Sequence, residues 1–233
     1  MKRIIFMGIA IMVIFASSCK KEEVDNPKTN VKEIISWKNL GAVHNYLVKN
    51  LLEDKNLNED NMCLHDELTD MKCILYNSKI YLPQSDIKTN IDSLSEQEYI
   101  NFFGGINLDT LFFYTFKEKF ISFLQEKVNI DDDIKLKMLN SVKTLSKIEV
   151  SEEDTIKRGY FMIKAYNIVY DSSEKFWNKK ANDEPSTREV IWADAAGALL
   201  GAACGGVMSV LMGAAASDAY VRAYKLGEEM ETH

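Results

Sequence analysis

Ala193, Gly197, Gly201, Gly205, Ser209, Gly213 and Ser217 recur at a strict four-residue interval near the end of this 233-residue chain. On an α-helix these positions form one row, and a row without bulky side chains is a groove into which another helix backbone can settle. Seven members in one register is a far more specific pattern than a lone G-x-x-x-G. The row is inclined to the helix axis, so a partner lying in it crosses at an angle. Two foldings satisfy the pattern. One is a single helix, because the register runs through Gly205-Gly206 without a slip and the segment opens on a capping box, Ser186 with Glu189, directly after Pro185. The other is a tight hairpin that turns at the double glycine, with its small faces meeting inside the domain.

Between Asp194 and Asp218 lie 23 residues without a charge, enough to span a bilayer, with Trp192 and Tyr220 at the flanks and Arg222 and Lys225 beyond. The run is poor in bulk, however, with five glycines and eight alanines against three leucines and two valines. At about −0.3 to −0.6 kcal/mol each, those five larger residues supply only roughly −1.5 to −3 kcal/mol towards insertion. Each glycine also costs about 1 kcal/mol in helix propensity. A lone copy of this segment should insert poorly, and copies packed on one another better.

The rest of the chain carries only three prolines, and five of its eleven glycines fall in the segment just described. So few turn-formers favour helices joined by short loops. Residues 31–53 place Ile35, Val43, Leu47 and Leu51 on one helical face, where His44 reads as a satisfied core histidine. A weaker helix is expected over 60–78, with a loop at Pro83. Ser93 with Glu96 and Ser95 with Glu98 are overlapping capping boxes for a short helix that should end at Gly104-Gly105, where a left-handed residue is cheap. Over 107–128, Leu108, Phe112, Phe116, Phe120, Leu124 and Val128 recur every fourth residue, with Leu111 and Phe123 widening the stripe. At this spacing the aromatics read as core, not as a ligand cradle. Asp131-Asp132-Asp133 suits a helix N-terminus, ahead of the inward-facing Ile134, Met138, Val142, Leu145 and Ile148 and the C-terminal cations Lys143 and Lys147. The glycine and distal glutamate of a calcium loop are missing there. Ser151-Glu152-Glu153-Asp154 should cap a helix reaching Trp177, apolar on nearly every side and so the natural centre of the bundle. The expected fold class is all-α: an irregular helical bundle over 31–182, then a small-residue helix and acidic tail over 183–233.

The N-terminus reads as an address. Lys2 and Arg3 precede the twelve apolar residues Ile4 to Phe15, and Ala16, Ser17 and Ser18 supply the small side chains of a signal-peptidase site. Twelve residues cover about 18 Å of helix, short of a ~30 Å hydrocarbon core. Ala16-Ser17-Ser18-Cys19 resembles the lipobox of bacterial lipoproteins, although Phe15-Ala16 displaces its usual leucine. The resemblance implies a signal peptide over 1–18, cleavage between Ser18 and Cys19, acyl chains on Cys19 as the membrane contact, and a flexible tether over 19–30. One chain holds only marginally, at about 0.8 kcal/mol per buried methylene, whereas two or three on one residue make a stable anchor. Lys20-Lys21-Glu22-Glu23 resembles the charged export signal of surface-exposed lipoproteins of Bacteroidota type, which implies a lipid-anchored place in the cell envelope, at the outer membrane or cell surface. Residues 192–202, Trp-Ala-Asp-Ala-Ala-Gly-Ala-Leu-Leu-Gly-Ala, resemble the glycine-zipper tails of such lipoproteins and of some bacteriocin-like peptides. That likeness implies a homo-oligomer or helix partner through residues 193–217. The large preceding domain and the anchor depart from the diffusible peptides.

Catalytic chemistry is not legible. The formal net charge is −7, and removal of residues 1–18 with Lys2 and Arg3 takes it two units lower, so nucleic acid is a poor partner. Cys63 and Cys73 on one helix would stand ~15 Å apart along its axis, too far for a disulfide, and read as buried thiols. Cys63 and His65, two apart, face different sides of a helix and cannot share a metal there. No H-E-x-x-H, G-x-S-x-G or phosphate loop occurs, and no cofactor is expected. The sequence points to a non-catalytic, membrane-anchored envelope lipoprotein. The alternative is a membrane-active, bacteriocin-like effector.

Overall fold

The computed structural model describes residues 35–53, 68–69, 87, 91, 95–180 and 187–231, and among them 76% are helical with no strand. Seven α-helices follow in order: α1 (Leu40–Glu53), α2 (Glu96–Phe103), α3 (Phe112–Glu126), α4 (Asp132–Thr144), α5 (Tyr160–Trp177), α6 (Thr187–Ala202) and α7 (Gly206–Glu231). A short 3-10 turn, Glu152–Ile156, joins α4 to α5. The fold is all-α.

The uncharged run is not one helix. After α6 the chain tightens into i→i+3 bonds, Ala203 N–H to Leu200 O, Cys204 N–H to Gly201 O and Gly205 N–H to Ala202 O, at 2.9–3.2 Å. Gly205 then adopts φ +124°, a region L side chains rarely enter, and the chain reverses into α7. The two arms meet backbone to backbone. A Cβ on Gly197 would stand 2.3 Å from the Met212 carbonyl oxygen, and one on Gly201 2.2 Å from that of Met208. The Ser209 hydroxyl crosses between the arms to donate to the Ala198 carbonyl at 2.7 Å. The unbroken four-residue register had argued for a continuous helix. It cannot separate that case from a hairpin, because two arms that face each other both need small residues on the facing row. Among the described residues no helix is long and apolar enough to cross a membrane.

Thirteen of the sixteen residues of α6 are buried, which makes this helix the centre of the domain in place of α5. Bulk is not what earns the position: alanines and glycines let both α5 and α7 close in on it. Trp192 fixes α6 to α3, its ring standing 5.5–6.0 Å from those of Phe113, Phe116 and Phe120, so the aromatic stripe is core. Leu111 departs from the expected stripe at 59% exposure. The Asp109 carboxylate accepts its N–H at 2.9 Å, holding residues 107–111 in turns, and α3 starts only at Phe112.

Ser95 and Glu98 form the anticipated capping box, but Gly104 closes α2 in the right-handed region at φ −64°. Ser151 and Asp154 also form a box, though on the 3-10 turn and not on α5. The chain resets at Gly159, whose φ of +90° precedes Tyr160, and a Cβ there would lie 2.6 Å from Ile130. Asp154 accepts from Lys137, from the Ser151 N–H at 2.7 Å and from Lys157 at 3.1 Å. These donors, Lys137 foremost, hold its carboxyl well below the usual carboxylate range. A depressed pKa contributes stability above the unfolded value, near 4, that is lost as pH falls through the folded one. Urea unfolding at pH 6 and pH 3 should therefore show a steeper acid loss in wild type than in Asp154→Asn; equal slopes would remove Asp154 from the acid response.

Candidate functional site

His44, Ser173 and Asp194 come from α1, α5 and α6 and are wholly buried where these helices meet α7. The ring fits because Gly213 has no side chain: a Cβ there would stand 2.8 Å from His44 Cδ2 and 3.2 Å from Nε2. His44 Nε2 lies 3.1 Å from Asp194 Oδ1, while Asp194 Oδ2 accepts from the Ser173 hydroxyl at 2.5 Å and the Trp177 indole N–H at 2.9 Å. His44 Nδ1 faces Asn45 Oδ1 at 3.0 Å. The Asn45 orientation follows from its other end, where Nδ2 meets the Ser172 backbone carbonyl at 3.0 Å, a group that can only accept. Both ring nitrogens thus face acceptors, and only the imidazolium donates from both. Burial opposes that charge, but the Asp194 carboxylate with its hydrogen bond, Asn45 and a Gly213 backbone hydrogen bond outweigh it, so the His44 pKa is raised.

Serine, histidine and aspartate together invite a comparison with hydrolases. The geometry differs. In a nucleophilic triad the imidazole lies between hydroxyl and carboxylate, ready to take the serine proton. Here the carboxylate lies between the other two, and the three are sealed from solvent. The cluster is arranged to hold an ion pair and lock four helices.

The open feature is a groove of about 430 Å³ between the start of α3, the first turn of α6 and the last turns of α7. Phe113, Tyr220 and Ala223 make its buried floor, with the Phe113 and Tyr220 rings edge to face at 5.1 Å. Tyr114 and Tyr224 stand exposed on its rim, 62% and 39% accessible. Asp109, Glu189, Glu228 and Glu231 are its charged members among the described residues, and the Lys117 ammonium stands over the Phe113 and Tyr114 rings at 4.5 and 5.3 Å from their centroids. The Tyr220 hydroxyl donates to Glu189, and burial together with that carboxylate pushes the phenol pKa up. Tyr224 is raised by its hydrogen bond to Glu228 and that group's charge.

Of the residues singled out by sequence, Ala193, Gly197, Gly201, Gly213, Ser209 and Ser217 are buried within the hairpin and its neighbours, and Gly205 is half-buried at the turn. Ser18 and Cys19, the tether, and Cys63, His65 and Cys73 lie outside the described residues. Among the described residues no three His, Cys, Asp or Glu side chains converge as a metal site. Sequence reasoning did not find Asp194 as the partner of His44, nor the groove. A carboxylate inside an otherwise apolar run was the available signal for the first. Comparison with known protein families, characterised proteins and solved structures finds no match.

Proposed function

We propose that this chain is a non-catalytic protein of the bacterial cell envelope, held at a membrane by acyl chains on Cys19, with its helical domain standing off the bilayer on residues 19–30. The carrying observation is that the small-residue row is consumed inside the domain. Gly197 and Gly201 face the α7 backbone, and Gly213 faces His44 and the Asp194 carbonyl. Gly197, Gly201 and Gly213 therefore have no face left for a second copy or for lipid, which supports an internal scaffold, while the lipobox-like residues 16–19 support the membrane contact. The sealed arrangement of His44, Asp194 and Ser173 supports a structural over a catalytic role.

Expression of the full chain in a lipoprotein-processing bacterium tests this. Wild type should partition into detergent with a mass showing cleavage before Cys19 and added acyl chains, whereas Cys19→Ala should lose both and leave the membrane fraction. An unmodified residue 19 in the wild type would end the proposal. Dye release from vesicles by the wild-type protein would favour the membrane-active effector instead.

A further inference from the structure

We propose that a one-way relay of hydrogen bonds, from His44 through Asn45 and Ser172 to Gly41, is a proton-operated latch that holds α1 on α5 while His44 Nδ1 carries its proton. The donors all point one way. Nδ1 donates to Asn45 Oδ1 at 3.0 Å, and Asn45 Nδ2 donates to the Ser172 carbonyl at 3.0 Å and to its hydroxyl at 2.8 Å. That hydroxyl in turn donates to the Gly41 carbonyl at 2.9 Å. The last bond falls where the two helices touch, since a Cβ on Gly41 would stand 2.6 Å from Ser172 Cβ. A single proton at the head of the relay thus sets the direction of every bond across this seam.

The surroundings of the ring decide which proton leaves. Asp194 is the charged group that α6 brings to it, at 3.1 Å from Nε2. Helix α5 brings Ser173 and Trp177, which donate to Asp194, α7 brings the Gly213 backbone, and α1 itself brings Asn45. A carboxylate only accepts, so the neutral imidazole keeps its proton on Nε2, and Nδ1 is the atom that gives one up to solvent. A bare Nδ1 then meets the lone pairs of Asn45 Oδ1. Turning the amide over lets Nδ2 donate to Nδ1, but it sets Oδ1 against the Ser172 carbonyl, two acceptors in contact. The Ser172 hydroxyl is then drawn to Oδ1, and Gly41 loses its bond across the seam. Either orientation of Asn45 leaves α1 with fewer ties to α5 than the protonated state gives. None of this rests on the lipid anchor.

Nitrogen NMR of the detergent-solubilised full chain follows the His44 ring. Pulsed hydrogen exchange at pH 6 and pH 9, each rate divided by its intrinsic value, follows α1 against α3, which the relay does not touch. Nδ1 should lose its proton between the two, and protection of α1 should fall roughly tenfold further than that of α3, as expected for one or two ordinary hydrogen bonds. Asn45→Ala should still titrate at His44 yet shrink this extra fall to about twofold, the part owed to the ion pair alone. Ser172→Ala, which keeps the Asn45 bond to the backbone carbonyl, should shrink it to about threefold. The proposal fails if Nδ1 keeps its proton at pH 9, if α1 and α3 lose protection together, or if Asn45→Ala leaves the extra fall undiminished. Should Asn45→Ala not fold, an undiminished fall in Ser172→Ala overturns it instead.

Discussion

Gly201→Ala is expected to destabilise the domain by about 1–3 kcal/mol, and Gly201→Leu to prevent the hairpin from closing. On an isolated helix the alanine would be a gain of about 1 kcal/mol. Here its Cβ would stand 2.2 Å from the Met208 carbonyl oxygen and 2.5 Å from the carbonyl carbon. Neither atom can rotate away, so relief requires α6 and α7 to separate along their length, loosening Gly197 and the Ser209 hydrogen bond. Gly227→Ala is the opposite case, since its Cβ would meet only Thr110 Cγ2 at 3.4 Å and the helix gains about 0.5–1 kcal/mol. At ~2–4 °C per kcal/mol for a domain of this size, thermal melts should move several degrees down for Gly201→Ala and a few up for Gly227→Ala. A Gly201→Ala protein melting at or above wild type would refute the hairpin contact.

Asp194→Ala should cost about 3–5 kcal/mol, because it strands an imidazolium in the core and leaves a hydroxyl and an indole N–H without their acceptor. The pH dependence carries a sharper signature. The folded-state pKa of His44 is raised above 6.5, so its contribution is full below that value and is lost as pH rises through the folded one. Wild type should lose this increment as pH rises above 6.5, and His44→Gln should lack that dependence. In Asp194→Asn desolvation dominates the imidazole, its folded pKa falls below the unfolded one, and stability should rise with pH up to about 6.5 and then level off. Chemical unfolding of the three proteins from pH 5 to pH 9 reads the sign directly. Parallel curves for wild type and His44→Gln would show that no titrating ion pair exists there.

What was legible in the sequence follows from the range of the interactions. The core stripe Phe112, Phe116, Phe120 and Leu124 could be read because its period is local to one helix, as could the box of Ser95 with Glu98. The break between α6 and α7 was harder. Residues 193–217 keep one register through the turn, and only tertiary packing decides which carbonyls fill the gaps left by Gly197 and Gly201. The helix start expected at Glu152 failed because Gly159 answers to Ile130, a contact the local pattern does not encode. Asp194 and His44 stand 150 residues apart. A lone carboxylate between Ala193 and Ala195 shows that a partner is needed without saying which residue it is. The groove joins positions from 109 to 231 and leaves no periodic trace.

That separation also sets an order of assembly. Helix α1 packs on α5 and α7, and its histidine is neutralised from α6, so every surface that receives it is made later in synthesis. A chain emerging N-terminus first carries α1 without these partners until they are made, while the hairpin, whose arms are sequence neighbours, can zip as soon as it exists. Full packing of α1 is thus available only once α7 has been made, and a nascent polypeptide interrupted before α7 leaves the α7-facing side of this helix uncovered.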